Sequence, residues 1–385
     1  MNRRNFIKLA GVLFVSGFEQ ILKAAGSFSD VNFGKILIKK DPDGILDLHS
    51  SLSYKILSKS GDIMSDGLLV PGLPDGMGAF ISGKNIVLIR NHELSPFHGY
   101  KKSAFHHQKS KINDLGEKHY NVKALGGTTN IVLERNSKNK IKEFLSLSGT
   151  HTNCAGGVTP WGSWLSCEEY INKRNRDNIA HGYVFEVDPE IDRLNTPVPL
   201  IALGRFNHEA VAFDQYENAY LTEDRRNGLI YKFIPENRGS LSEGKLFAMK
   251  ISSAVDSDSR NWKGSNIIIN KKYDVEWVKI EEHDPDEDTM RYEGMDKGAT
   301  PFARPEGMIS DGNDIFICCT SGGPLKKGQI WKLTSKSSKE NHIELWYEVG
   351  DHRSLNMPDN ITIAPWGDLI VCEDNSDINR LWGVT

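Results

Sequence analysis

Gly149-Thr-His-Thr-Asn-Cys-Ala-Gly-Gly-Val-Thr-Pro-Trp-Gly-Ser-Trp-Leu-Ser-Cys-Glu-Glu169 places one Cys, one His, several small residues and two carboxylates in a loop and the strand that follows. A packed core has no use for that mixture. A metal centre does, because thiolate and carboxylates together offer soft and hard ligands. The second half of the stretch returns near the end of the chain as Ala364-Pro-Trp-Gly-Asp-Leu-Ile-Val-Cys-Glu-Asp374.

The shared pattern is a turn, an alternating apolar strand, and polar or acidic residues at the strand's end. It occurs over Phe80–Glu93, Val158–Glu169, Val211–Asp224 and Ile363–Asp374, and over Met308–Thr320 without the terminal acid. Further strand-like segments lie between the copies, at Gly182–Val187, Gly228–Ile234 and Gly328–Leu333. The tightest spacing approaches the roughly 40–50 residues of a four-stranded propeller blade, and wider gaps would carry insertions. An all-β fold of the β-propeller class is therefore expected, with a β-sandwich or two separate β domains as the competing reading. In a propeller, equivalent strand ends converge on the axis. Glu93, Glu169, Glu223 and Asp374 would then approach one another, which is costly unless cations neutralise them.

Composition bounds the function. The chain has 385 residues, 25% of them charged, with a net charge of −4. Such a balance argues against a general nucleic-acid binder, which should be basic. Residues 1–25 read as an export signal: Arg3-Arg4 followed by Phe6-Ile7-Lys8, a short apolar run, and a small-residue exit. The pair matches the twin-arginine pattern, and the run is short for a membrane span. The export machinery is thus an expected partner, and a periplasmic or secreted protein without a stable membrane span the expected product. Residues 26–385 are expected to form the propeller, with an insertion around 237–300. No oligomerising element stands out, so a monomer is expected. Of the five cysteines, Cys167, Cys318, Cys319 and Cys372 lie in apolar strand patterns, whereas Cys154 lies in a polar, Gly-rich loop where a ligand would sit.

Other motifs add to this. Asn91-His92-Glu93 and Asn207-His208-Glu209 repeat a triplet whose Asn and Glu offer oxygen ligands and whose His could orient a ligand or meet substrate. In Arg304-Pro305-Glu306 the proline favours an extended chain, so Arg304 and Glu306 should share one face, either as a plain ion pair or as a grip on a phosphate oxygen. Asp359-Asn360 follows Pro358 as a turn or as calcium ligands. The acidic run Glu281–Asp288 reads as a solvated loop or a calcium site, and Asp75–Gly78 and Gly126–Asn130 read as turn-rich without a phosphate-binding P-loop context.

In this order the motifs resemble those of the PhoX-type alkaline phosphatases. The likeness runs through Asp75-Gly-Met-Gly-Ala-Phe80, Asn91-His-Glu93, Gly127-Thr-Thr-Asn130, Thr152-Asn-Cys-Ala-Gly-Gly157, Cys167-Glu-Glu169, Gly204-Arg-Phe-Asn-His-Glu209, Arg304-Pro-Glu-Gly307 and Pro358-Asp-Asn360. The resemblance implies a six-bladed propeller with a buried cluster of iron and calcium bridged by an oxo group, and hydrolysis of small phosphomonoesters. It carries iron ligands onto Cys154, Glu209, Glu306 and Glu169, with Glu168 as the alternative to Glu169. It carries calcium ligands onto Glu93, Asn130 and Asp359, and the phosphate-binding role onto Arg304. Family members continue with another Gly- and Asn-rich segment that completes the circle, whereas this chain stops at Leu381-Trp-Gly-Val-Thr385, so an incomplete last blade is expected. A calcium-dependent, lactonase-like propeller hydrolase and a non-catalytic calcium-stabilised binding propeller are the rival readings.

Overall fold

The computed structural model describes residues 38–384 except 51, 96, 177, 253–257, 265, 337–340, 352–353 and 377. The export signal expected over residues 1–25 lies outside the described residues. The fold is all-β. Strands β3 (Pro74–Ser82), β4 (Asn85–His92), β5 (Gly126–Glu134) and β6 (Lys140–Thr150) form one antiparallel sheet in chain order. Strands β7 (Asn153–Val158), β8 (Trp164–Glu168) and β9 (Val184–Val187) form the next. Then come β10 (His208–Phe213), β11 (Ala219–Glu223), β12 (Ile230–Pro235) and β13 (Gly244–Ile251), and after them β15 (Pro305–Asp311), β16 (Asp314–Cys319), β17 (Gln329–Ser335) and β18 (Asn341–Glu348). Strand β14 (Lys272–Lys279) pairs with both β13 and β18, welding these two four-stranded units into one nine-stranded sheet. Strands β19 (Pro358–Ile363), β20 (Leu369–Glu373) and β21 (Leu381–Val384) close the series.

Each repeated motif is the hairpin of the first two strands of a unit. Its turn comes in two lengths. Ser82 pairs with Asn85 across Gly83-Lys84, and Asp311 pairs with Asp314 across Gly312-Asn313; the glycines have φ of 54° and 60°. Positive φ at the first turn position matches the strand twist of a two-residue hairpin. Val158–Trp164 and Ile363–Leu369 instead enclose the five-residue loops Thr159-Pro-Trp-Gly-Ser163 and Ala364-Pro-Trp-Gly-Asp368. There Gly162 and Gly367 take φ of 90° and 104°. The recurring Pro-Trp-Gly is thus a hairpin loop, not a part of the site.

The five first strands stand side by side in the order β3, β7, β10, β15, β19. Close approach needs glycine: a Cβ on Gly157 would lie 1.9 Å from the Val211 carbonyl oxygen, and one on Gly307 would lie 2.5 Å from that of Asp359. Between β19–β21 and β3–β6 the space is bridged by the segment leading into β3. The short strands β1 (Ile38–Lys39) and β2 (Leu48–His49) pair there. Leu46 and Tyr54 pack with Cys372 and Leu381, while Leu57 packs on Ile86, Leu88, Ile131 and Leu133. Two expectations need correcting. Asp75–Gly78 and Gly126–Asn130, read as turn-rich, are strand residues of β3 and β5. Glu281–Asp288 is the solvated loop expected, with Glu281, Glu282, His283, Asp286 and Glu287 exposed, and it also braces the fold: Asp284 holds Arg174 and Tyr183, Asp288 holds Arg225 and Arg291, and the Pro285 carbonyl accepts from buried Arg205 at 2.7 Å.

Candidate active site

Every first strand breaks register at the same point. Pro74 pairs with His92 and Met77 with Arg90, so Asp75 and Gly76 together face Asn91. In the same way Cys154 and Ala155 face Cys167, and Glu209 and Ala210 face Thr222. Glu306 and Gly307 face Cys318, and Asp359 and Asn360 face Cys372. Two residues opposite one is a β-bulge, which bends the strand and re-aims a side chain. In all five hairpins the first bulged residue is a potential metal ligand: Asp75, Cys154, Glu209, Glu306, Asp359.

Four of these residues, Cys154, Glu209, Glu306 and Asp359, come together with Glu169. Ligand atoms of Cys154, Glu169 and Glu209 lie within 4.8 Å of one another, and so do those of Glu209, Glu306 and Asp359. Glu209 belongs to both groups. Behind the ring lies an apolar cavity of about 370 Å³, lined by residues further along the same strands, such as Gly78, Gly157, Val211 and Met308; it includes none of these acids.

The ends of the second strands supply another layer. The backbone N–H of Glu93, Glu169, Asp224, Thr320 and Asp374 bonds to the carbonyl of Leu73, Thr152, Asn207, Arg304 and Met357, respectively, at 2.8–3.2 Å. These are therefore equivalent positions. Each accepting residue but Asn207 has positive φ: 51° at Leu73, 47° at Thr152, 54° at Arg304 and 55° at Met357. That conformation is costly for non-glycine residues, and it recurs four times beside the clustered acids. Arg304 is thus not extended as Pro305 suggested. It still meets Glu306, Nη2 to Oε1 at 2.5 Å.

The equivalence corrects which acids converge. Glu223 is one residue early: it accepts from Tyr231 Oη at 2.9 Å and Leu229 N at 3.2 Å and pairs with Arg291 at 3.2 Å. Asp224, not singled out in the sequence, takes the axial place. Glu168 is likewise one early. Its carboxylate accepts from His151 N at 2.8 Å, His181 Nδ1 at 2.7 Å and Gly182 N at 2.9 Å. Those bonds, outweighing burial, hold its pKa below the ordinary value. Glu169, next to it, joins the cluster. Glu373 completes the pattern, accepting from Asn356 N, Arg380 N and Trp382 Nε1. The first acid of each pair is tied to neighbouring backbone and side chains, whereas Glu169 and Asp224 face the cluster.

The two Asn-His-Glu triplets are not copies of each other. The first ends β4 and the second opens β10. Their histidines are structural: His92 bonds to the Gly72 carbonyl and Thr129 Oγ1, and His208 stacks on Phe206 at 3.6 Å and bonds to the Gly204 carbonyl. Asn91 donates to the carbonyls of Cys154 and Ala155 at 3.1 and 2.7 Å, fixing that bulge from behind. Asn130 stands on β5, two strands out from the axis, paired with Ile89 and Phe144. Asp75 was overlooked, although Pro74-Asp75-Gly76 matches Pro305-Glu306-Gly307 and Pro358-Asp359-Asn360 in type and spacing.

Electrostatics single out the ring. Burial, then the neighbouring Glu209, Asp224 and Glu93, push the Glu169 carboxyl well above its ordinary pKa. Burial, then Asp359 and Asp224, do the same to Glu306 despite Arg304. Burial, then Glu209, Glu169, Cys167 and Asp75, raise the Cys154 thiol, whose Sγ lies 3.2 Å from the His208 carbonyl oxygen. So many buried anions are unstable together unless protonated or paired with cations. Arg304 is the local exception in sign. Asp224 grips its Nε and Nη2 at 2.9 and 2.8 Å, and Glu306 and Asp224 outweigh burial to raise its pKa.

The sequence matches the alkaline phosphatase PhoX family over residues 31–385. The chain belongs to the PhoX alkaline phosphatase family. It is a phosphomonoester hydrolase, and its fold agrees. It superimposes on Pseudomonas fluorescens PhoX, solved in complex with vanadate as a transition-state analogue, with a TM-score of 0.61 at 19% identity over 85% of this chain and 82% of that one. A putative oxidoreductase (glucose dehydrogenase) from Thermus thermophilus gives 0.43 at 11% identity, covering 86% and 92%. The periplasmic gluconolactonase of Pseudomonas aeruginosa gives 0.41 at 9%, covering 83% and 76%. No curated protein matches the chain. Among the described residues, no helix of this PhoX-family chain is long and apolar enough to cross a membrane.

Proposed function

We propose that this PhoX-family phosphatase hydrolyses phosphomonoesters at an iron- and calcium-containing centre held by the axial ring. The observation that carries the reading is the pair of ligand groups joined at Glu209. The residues fit such a group: buried carboxylates and a thiol whose pKa values are driven up by one another ask for positive charge. Cys154, Glu169 and Glu209 offer a thiolate-bearing set suited to iron, and Glu209, Glu306 and Asp359 an all-oxygen set suited to calcium. Glu93 and Asp75 stand beside the first set. When bound, the ions supply Lewis-acid polarisation of the phosphoryl oxygens and a nucleophile available at neutral pH.

The chain's own residues do the rest. Arg304, kept charged by Glu306 and Asp224, binds the phosphoryl group through its guanidinium and stabilises charge on the equatorial oxygens. Asp224 holds that guanidinium plane with two bonds, so little ordering remains to be done on binding. Asn91 and Glu168 keep the Cys154 and Glu169 backbones in register. The neighbour's vanadate complex supports a phosphoryl-transfer site in this fold.

The same reading takes the fold as a six-position propeller. Five positions are the hairpin-led units and the sixth is filled by the segment leading into β3. It takes residues 1–25 as a twin-arginine signal and the product as periplasmic or secreted. The test is elemental analysis of exported protein, paired with release of phosphate from phenyl phosphate before and after chelation. Iron with calcium, and activity lost on chelation and regained on adding both, is the expected result. Full activity in protein free of both metals overturns it.

A further inference from the structure

Beside the active site, Trp262 gathers three cations that the phosphoryl chemistry does not use. Arg260 Cζ lies 4.4 Å from the ring centroid, Arg226 Cζ 5.5 Å and Lys326 Nζ 5.5 Å. Attraction to the ring face holds cations together that would otherwise repel. Asp258 neutralises only Arg260, through paired bonds of 2.7 Å from Nε and Nη2. Arg226 and Lys326 are exposed, and among the described residues neither has a carboxylate partner. Lys326 also takes φ of 53°.

The cluster is wired to the loop that carries Arg304. The Arg304 N–H donates to the Arg225 carbonyl at 2.9 Å, one residue before Arg226. Thr320 N donates back to the Arg304 carbonyl, and Trp262 Nε1 donates to the carbonyl of the next residue, Ser321, at 2.7 Å. Arg260 Nη1 donates to the Arg226 carbonyl at 3.2 Å. Platform and phosphate-binding arginine therefore share one end of the sheets, on adjacent loops whose backbones are bonded together.

We propose that Arg226, Lys326 and Arg260 around Trp262 form a second anion subsite that takes a remote phosphate on the alcohol half of the substrate. The preferred substrates are then organic bisphosphates, with one phosphate at Arg304 and the other at Trp262. The proposal rests on the phosphatase reading and deepens it. Net affinity comes from charge pairing at a solvent-exposed rim, so the effect is moderate and falls with salt.

The experiment measures kcat/KM for linear alkane bisphosphates of increasing length against alkyl monophosphates of the same length. It uses the metal-loaded full chain, the Arg226→Ala/Lys326→Ala double variant, and Lys271→Ala as an unrelated exposed cation beside Tyr273. The expected result is a bisphosphate preference that peaks at one length, shrinks with added salt, and drops about fivefold in the double variant through KM, with the preference intact in Lys271→Ala. No preference in the wild type, or one unchanged in the double variant, overturns the subsite while leaving the phosphatase reading in place. Failure to turn over even the monophosphates sinks both.

Discussion

Asp224 holds Arg304 by both carboxylate oxygens, at 2.9 and 2.8 Å, so that one side of the guanidinium is committed before any substrate arrives. Arg304→Ala should lower kcat/KM for phenyl phosphate by about 100-fold or more, the usual loss when a donor to developing charge is removed. Iron and calcium content, measured on the same samples, should stay near wild type. Empty metal sites in the variant would mean that Arg304 is structural.

Asp224→Asn keeps one acceptor but frees the arginine plane. A smaller loss, about tenfold, should follow, and it should fall mainly on KM because orientation for binding is what is weakened. A loss as deep as that of Arg304→Ala, carried by kcat alone, would give Asp224 a direct part in the reaction.

Glu168 and Glu169 should part ways under the same substitution. Glu168→Gln breaks a buried acceptor set for His181, His151 N and Gly182 N. It should cost roughly 2–4 kcal/mol in urea unfolding. Glu169→Gln should cost little stability and instead strip metal and activity. The reverse outcome would reassign the ligand.

Chelation should lower the melting temperature as well as activity. A ligand present at 1,000 times its Kd adds about 4 kcal/mol. Glu306 and Asp359 are left side by side when ions leave. Glu306→Gln should therefore be neutral or stabilising in the metal-free protein while abolishing metal-dependent stabilisation. Equal destabilisation with and without metal would count against a cation there.

His119 gives a pH test away from the ring. Burial pushes it down to about 4, and its Nδ1 lies 2.8 Å from Ser148 Oγ. With the unfolded value near 6.5, the unfolded chain takes the proton more readily. The contribution is complete above about pH 6.5 and is lost as pH falls towards 4, about 2 kcal/mol of it by pH 5. Urea unfolding at pH 7 and 5 should show a smaller difference for His119→Gln than for wild type. An unchanged difference would remove His119 as a source.

Much of this was legible in the sequence, and the misses share a cause. The hairpin repeats, Cys154 and the acids Glu169, Glu209, Glu306 and Asp359 could be read because strand alternation and motif order are local. Choosing between Glu168 and Glu169, or Glu223 and Asp224, was not local. Side chains of adjacent strand residues point to opposite faces, so an error of one residue exchanges axis for loop. The bulge at Asp75 and the placement of Asn130 were not local either. The bulge that aims Asp75 inward is a pairing property, and the two strands that separate Asn130 from the axis are a matter of topology.

The bulged residues proposed as ligands come one from each of the five hairpins, from Asp75 on the first to Asp359 on the last. In the proposed centre the two ligand groups together span residues 154–359, so its ions would act as a proofreader of assembly. They bind tightly only after the earliest and latest parts of the polypeptide have met, and that long-range closure is slow. Refolding followed by tryptophan fluorescence should therefore run at the same rate with and without calcium and iron, whereas unfolding of the metal-loaded protein should be slower.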